Sequence, residues 1–213
     1  THELKTPVTS ISGLLQAVND EVVTDEEAKQ FVKMALVETT KMKTMINDLL
    51  AFNSFAVQAV PVNMETIRIN DVVGDIVRSW GATHPQIDLH ISLLEEDTLV
   101  RADAVRVQQI LSNLLTNAEQ SMDGNGTIHV TLQMDKHFII VDVQDSGCGI
   151  PLAEQPFIFE RFYRGEQKKY KIRGLGLGLA LSKMMAQSIG GDLTLVNSTA
   201  QGTTFRLKLV KTF

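Results

Sequence analysis

The chain has 213 residues, 44% of them hydrophobic, enough to bury a core in one or two domains. Lys plus Arg total 20 against 25 Asp plus Glu, and a net charge of −5 leaves no electrostatic footprint for nucleic acid. The single cysteine, Cys148, excludes an internal disulfide and a thiolate metal cluster, and no apolar run approaches the roughly 18 residues of a membrane span.

The expectation from these features is soluble material from a reducing, cytosolic compartment. The chain starts inside a helical pattern with neither an N-cap signal nor a signal peptide, so it reads as a portion of something longer. Any membrane segment would then lie outside it.

The first stretch is Thr1-His2-Glu3-Leu4-Lys5-Thr6-Pro7. A neutral imidazole has a lone pair able to attack phosphorus, and a carboxylate beside it can hold the opposite ring N–H and stabilise charge that builds on the ring. His2 and Glu3 supply that pair. Thr6, one helical turn on, puts a hydroxyl on the same face. Leu4, Val8, Ile11, Leu15 and Val18 form one apolar seam, with His2 off it and facing outward. Taken alone, these seven residues fit an ordinary solvent-facing histidine equally well, and Pro7 fits a simple kink.

Asn19 to Val23 breaks the pattern, and Thr24-Asp25-Glu26-Glu27 is a capping box that starts a second helix. Its seam is Met42, Met45, Leu49, Phe52 and Ala56, widened by Phe31, Ala35, Ile46 and Leu50. Two helices cannot cover both apolar faces by themselves. The hairpin therefore predicts a homodimer in which two copies make a four-helix bundle.

Val60-Pro61 ends the helix and marks the boundary between residues 1–60 and a second domain, 61–213. Strands are expected at Met64 to Ile69, Ile87 to Leu94 and Leu99 to Ala102. Asn70 should cap a helix to Gly81, and Asp103 a long helix to Met122. Thr127 to Met134 and Phe138 to Gln144 read as an antiparallel pair. After a loop from Ser146 to Arg173 come a helix, Leu175 to Ile189, and strands Asp192 to Val196 and Thr203 to Val210, completing an α/β sandwich.

Three features here bear chemistry. Asn113 and Asn117 share one face of the long helix, where neutral oxygens suit a hydrated magnesium ion, with Glu119 a further candidate ligand; solvated asparagines are the plainer reading. Asp145, at a strand end before Gly147 and Gly149, can accept from an exocyclic amine such as adenine N6. Gly174, Gly176 and Gly178 open a helix whose N-terminal N–H groups suit phosphate. The setting of these glycines departs from a dinucleotide fold, since neither the preceding strand nor the closing acidic residue is in place.

The order His-Glu-Leu-Lys-Thr-Pro, Asn-x3-Asn, Asp-x-Gly-x-Gly, Ile158-Phe159-Glu160-Arg161-Phe162-Tyr163-Arg164 and Gly-x-Gly-x-Gly resembles the H, N, G1, F and G2 boxes of bacterial sensor histidine kinases, over essentially the whole chain. The resemblance implies a dimerisation and phosphoacceptor hairpin followed by a Bergerat-fold ATP-binding domain. It makes His2 the phosphoacceptor, Glu3 the base and Thr6 a residue of phosphatase activity. Asn117 becomes the Mg²⁺ ligand, Asn113 a support for phosphate or metal, Asp145 the adenine acceptor, and Gly147, Gly149, Gly174, Gly176 and Gly178 the shapers of pocket and lid. Gly202-Thr203 resembles the terminal glycine motif, and Phe159, Phe162 and Tyr163 the hydrophobic latch of the lid or, equally, a staple to the core.

The implied activity is ATP-dependent autophosphorylation on His2 and transfer to an aspartate of a response regulator, in the cytoplasmic part of a membrane-anchored bacterial sensor. The alternative is an ATPase of the mismatch-repair or heat-shock type, or a pseudokinase scaffold. One departure is plain: many relatives carry Lys and Tyr three and four residues after the second asparagine, where this chain has Gln120 and Ser121. Lys168, Lys169, Lys171 or Arg173 would be left to supply positive charge.

Overall fold

The computed structural model describes residues 2–56, 61–96, 98–165 and 175–211. Two helices lead, α1 (His2–Asn19), which runs through Pro7, and α2 (Asp25–Ala56), packed side by side. The expected capping box starts α2. The backbone N–H and hydroxyl of Thr24 donate to Glu27 Oε2 at 2.9 and 2.8 Å, and Glu27 N–H returns to Thr24 Oγ1 at 3.4 Å. The bond from the Thr24 backbone, helped by the hydroxyl, holds the Glu27 carboxyl below its ordinary value. Apolar surface remains uncovered on this hairpin, since Val8, Leu15, Met34, Leu36, Ile46 and Leu50 are exposed while Ala35 is buried. The expected boundary at Val60-Pro61 falls partly on residues 57–60, outside the described ones.

The rest of the chain folds as β1 (Glu65–Arg68), α3 (Ile69–Thr83), β2 (Ile87–Ser92), β3 (Leu99–Ala102), α4 (Ala104–Ser121), β4 (Gly126–Met134), β5 (Phe138–Asp145), α5 (Gly178–Ser188), β6 (Asp192–Thr199) and β7 (Gly202–Val210). A short 3₁₀ turn, Gln155–Phe157, lies in the loop after β5. Five strands make one sheet in the order β2-β4-β5-β7-β6, parallel between β2 and β4 and antiparallel elsewhere. β1 and β3 form a separate antiparallel pair.

The periodicities explain the layers. Val107, Ile110, Leu111, Leu114, Leu115 and Ala118 recur at helical spacing and are all buried, while Ile128, Val130 and Leu132 alternate along β4. Helices and sheet thus bury one common core, the expected α/β sandwich, and each fully buried Leu or Ile contributes about 1.5–3 kcal/mol to it. Asp103 caps α4 as expected, accepting from Arg106 N–H at 3.1 Å.

Two of the boundaries that differ from expectation have a visible physical reason. α3 begins at Ile69, and Asn70 does not cap it. The Asn70 amide instead donates to Leu94 O at 2.9 Å and accepts from Leu94 N–H at 3.1 Å, fastening the segment after β2, which ends at Ser92. α5 begins at Gly178 and not at Leu175, because Gly176 has φ +69°, outside the helical region.

Candidate functional site

A cavity of about 460 Å³ opens between α4, the loop after β5 and the start of α5. Its floor is set by Asp145, the last residue of the central strand β5 and buried there. Three donors converge on Oδ1 of this carboxylate: the Ser121 hydroxyl at 3.0 Å, Gly147 N–H at 2.8 Å and Thr203 N–H at 3.3 Å. The sheet register explains the last, since Asp145 pairs directly with Thr203 of β7. The Thr203 hydroxyl shares a hydrogen bond with Ser198 Oγ at 2.9 Å, and Ser198 Oγ accepts from Ile150 N–H at 2.8 Å. The loop after β5 is thereby tied to the β6–β7 hairpin.

The glycines of that loop have steric reasons. Gly147 lies behind the cavity wall, where a Cβ would stand 2.1 Å from Ser121 Oγ. Gly149, at φ +73°, has its place for a side chain filled by Thr199 O at 1.8 Å. Gly176 packs its backbone on Tyr163 O, and both it and Gly178 line the cavity; Gly174 lies outside the described residues, as do Lys168, Lys169, Lys171 and Arg173.

The two asparagines of α4 take different duties. The Asn113 amide donates to Ser182 Oγ at 2.9 Å and its oxygen lies 2.5 Å from where a Cβ of Gly178 would be, so Asn113 docks α4 against α5 while also lining the cavity. Asn117 lines the cavity, and its amide nitrogen is buried with no hydrogen-bond partner. A buried amide group left without a partner costs roughly 1–3 kcal/mol, so a ligand that satisfies it has a ready place. Glu119 does not line the cavity: it accepts from Gln86 at 3.0 Å and faces His84 Nε2 at 3.6 Å.

The first turn of α5 faces the same space. Leu177, Gly178 and Leu179 line the cavity, and Leu177 at the N-cap position offers no side-chain bond to the helix N–H groups. An anion at this end would meet those donors and the positive end of the helix dipole. The cavity therefore joins an acidic acceptor at one side, an unsatisfied amide, and an anion-seeking helix end, a combination suited to a base and a phosphate chain in one molecule.

Of the aromatic residues, Tyr163 lines the cavity, Phe159 packs edge-on against Phe205 at 6.2 Å, and Phe162 is exposed with φ +64° while its N–H donates to Gly176 O at 3.1 Å. Phe159 is thus a staple to the core. Sequence reasoning did not find the hydroxyls of Ser121 and Ser198 or the approach of α2. Thr44 of α2 lines the cavity, and Leu175 and Leu177 are buried against Met45, Leu49 and Met184. The apolar seam of α2 held the signal for that contact, though it gave no indication of the partner.

His2, Glu3 and Thr6 lie on the first turns of α1. The side chains of residues 2–4 are outside the described ones. Thr6 is exposed and lines a shallow groove with Lys5, Thr9, Ser10, Gly13 and Leu14.

Comparison with known proteins gives the same order of parts. Residues 1–55 match the His Kinase A (phospho-acceptor) domain, and residues 102–212 match the histidine kinase-, DNA gyrase B- and HSP90-like ATPases. The chain is 31% identical over 216 residues to the sensor histidine kinase WalK of Bacillus subtilis, a match that takes in 98% of this chain and 35% of that protein. It is 27% identical over 213 residues to the sensor protein kinase WalK of Staphylococcus aureus, covering 98% and 51%. The chain thus spans between a third and about half of the length of these relatives. Among solved structures, the Acinetobacter baumannii histidine kinase AdeS superposes with a TM-score of 0.77 at 22% identity, over 100% of this chain and 99% of that one. The histidine kinase ThkA, in complex with the response regulator protein TrrA, superposes with a TM-score of 0.79 at 23% identity, over 99% and 59%. At these identities the likeness is one of fold, a helical hairpin ahead of a Bergerat-type sandwich.

Proposed function

Because this chain belongs to the sensor histidine kinase family, we propose that it binds ATP in the cavity at Asp145, transfers the γ-phosphoryl group to His2, and passes it on to an aspartate of a response regulator. The observation that carries this reading is one cavity holding a pinned carboxylate, an unpartnered buried amide and a helix N-terminus. In this reading residues 1–60 are the dimerisation and phosphotransfer domain and residues 61–213 the ATP-binding domain.

Asp145 accepts the exocyclic amine of adenine, and the first turn of α5, with Gly176 and Gly178, receives phosphate. A neutral ring nitrogen of His2 attacks the γ phosphorus; the N–P bond forms as the bond from phosphorus to the bridging oxygen breaks and ADP leaves. Glu3 holds the opposite ring N–H and stabilises the charge gained by the imidazole. In this reading magnesium would be held through the side-chain oxygen of Asn117, while its buried amide nitrogen, a donor, would meet a phosphate oxygen. Among the described residues no three His, Cys, Asp or Glu side chains gather to hold a metal, so the ion would take most of its oxygens from phosphate and water. It would neutralise charge on the transferring phosphoryl group. Asn117→Ala is expected to raise the magnesium concentration for half-maximal autophosphorylation by roughly tenfold or more, with partial recovery at high magnesium. An unchanged magnesium profile would remove Asn117 from the metal site.

The exposed apolar residues of α1 and α2 support pairing with a second copy to make a four-helix bundle. No helix among the described residues is long and apolar enough to cross a membrane. The deciding experiment is incubation with γ-labelled ATP: acid-labile, base-stable label on the protein is expected, and ATP hydrolysis without such label would reject the kinase reading.

Thr6 separates forward from reverse chemistry. Removing phosphate from a regulator aspartate needs a water held in line, and in this reading the hydroxyl of Thr6, an exposed residue one turn from His2, holds it. Thr6→Ala should keep most autophosphorylation and lose regulator dephosphorylation, and alanine's higher helix propensity protects α1. The comparison is of phosphate loss from purified phosphorylated regulator with wild-type kinase, the variant, or no kinase. Equal decay with the two kinases would remove Thr6 from the reverse reaction.

A further inference from the structure

Ser121 ends α4 beside the loop that follows β5. Its one hydroxyl hydrogen is shared between Ala118 O at 2.8 Å and Asp145 Oδ1 at 3.0 Å, and its carbonyl accepts from Cys148 N–H at 3.2 Å. The two segments stand as close as a glycine permits, since a Cβ at Gly147 would fall 2.1 Å from Ser121 Oγ. Of the three donors described on Asp145 Oδ1, those of Gly147 and Thr203 are backbone N–H groups. Ser121 supplies the one that comes from a side chain.

We propose that Ser121 is a positioning residue for base recognition: by donating to Asp145 Oδ1 it sets the plane of the carboxylate, so that the site selects purines bearing an exocyclic amine. The inference rests on the reading of Asp145 as the adenine acceptor. A carboxylate can rotate about its bond to Cβ, and a hydrogen bond to an exocyclic amine needs both distance and direction. Two backbone donors at the loop and at β7 leave that rotation less restrained than three. The serine at this position thus has its own duty, different from stacking on a base or reaching a phosphate. Because the contact acts on the carboxylate, its removal should be felt by ligands that use the carboxylate and not by ligands that ignore it.

The test compares ATP with purine riboside 5′-triphosphate, which has the same phosphates and sugar but lacks the amine. Both are titrated calorimetrically into the full chain and into Ser121→Ala, with stoichiometry reporting the folded fraction so that affinities are read on folded protein. Ser121→Ala should weaken ATP roughly threefold to tenfold while purine riboside triphosphate stays within about twofold. Equal weakening of both ligands would mean that Ser121 only supports the loop, and equal affinities in variant and wild type would mean that it does nothing for the base; either result overturns the proposal. Wild-type protein that binds both ligands alike would instead overturn the adenine reading of Asp145, and this inference with it.

Discussion

His2→Ala is expected to leave no measurable acid-labile phosphate on the protein while ATP affinity and thermal stability stay close to wild type. The reasons are of two kinds. Chemically, alanine has no lone pair to attack phosphorus, and no other histidine lies on α1. Structurally, the cavity at Asp145 is lined by residues of α2, α4, α5, β7 and the loop after β5, none of them from the start of α1. The substitution should therefore remove the acceptor and spare the nucleotide site. Labelling with γ-labelled ATP, alongside calorimetric titration of a non-hydrolysable analogue, reads both halves. Residual acid-labile label in the variant would move the acceptor to another residue.

Asp145→Asn should weaken ATP by roughly ten- to hundredfold, the value of a charge-assisted hydrogen bond of about 1.5–3 kcal/mol. Geometry strengthens the expectation. The donors from Ser121, Gly147 and Thr203 all point at Oδ1, so an asparagine keeps its carbonyl oxygen for them and turns its NH₂ the other way. An exocyclic amine arriving there meets a donor in place of an acceptor. The change is nearly isosteric, so the buried position should still fold and the melting temperature should move little. Calorimetry showing unchanged ATP affinity would place the adenine elsewhere.

How far the site was legible depended on the range of each interaction. Asn113 and Asn117 look equivalent on a helical wheel. Both line the cavity, and what separates them is Ser182, 69 residues further along, which takes the Asn113 amide while the buried amide nitrogen of Asn117 is left without a partner. Glu119, next in the same motif, turns to Gln86, 33 residues away. Asn70 carried a good capping signal, yet two bonds to Leu94 outweigh a single cap bond, and α3 starts without it. In the same way the exchange of a bulky residue for Ser121 reads as a loss along the sequence and becomes a contact to Asp145 only when β5 ends beside α4.

By itself the sequence determined what depends on bonds three or four residues apart and on apolar period: the capping box at Thr24 and Glu27, the Asp103 cap, the buried stripe of α4, the alternation of β4 and β7, and the order of motifs that marks the family. Only the tertiary structure decided which side chains of those motifs face the cavity, that β2 runs parallel to β4, and that Leu175 and Leu177 bury themselves against Met45 and Leu49 of α2. Local hydrogen bonds and helical period are properties of neighbouring residues and can be read along the chain. The orientation of a buried polar group is chosen by whichever partner the packing brings within about 3 Å, and that partner is set by the whole fold.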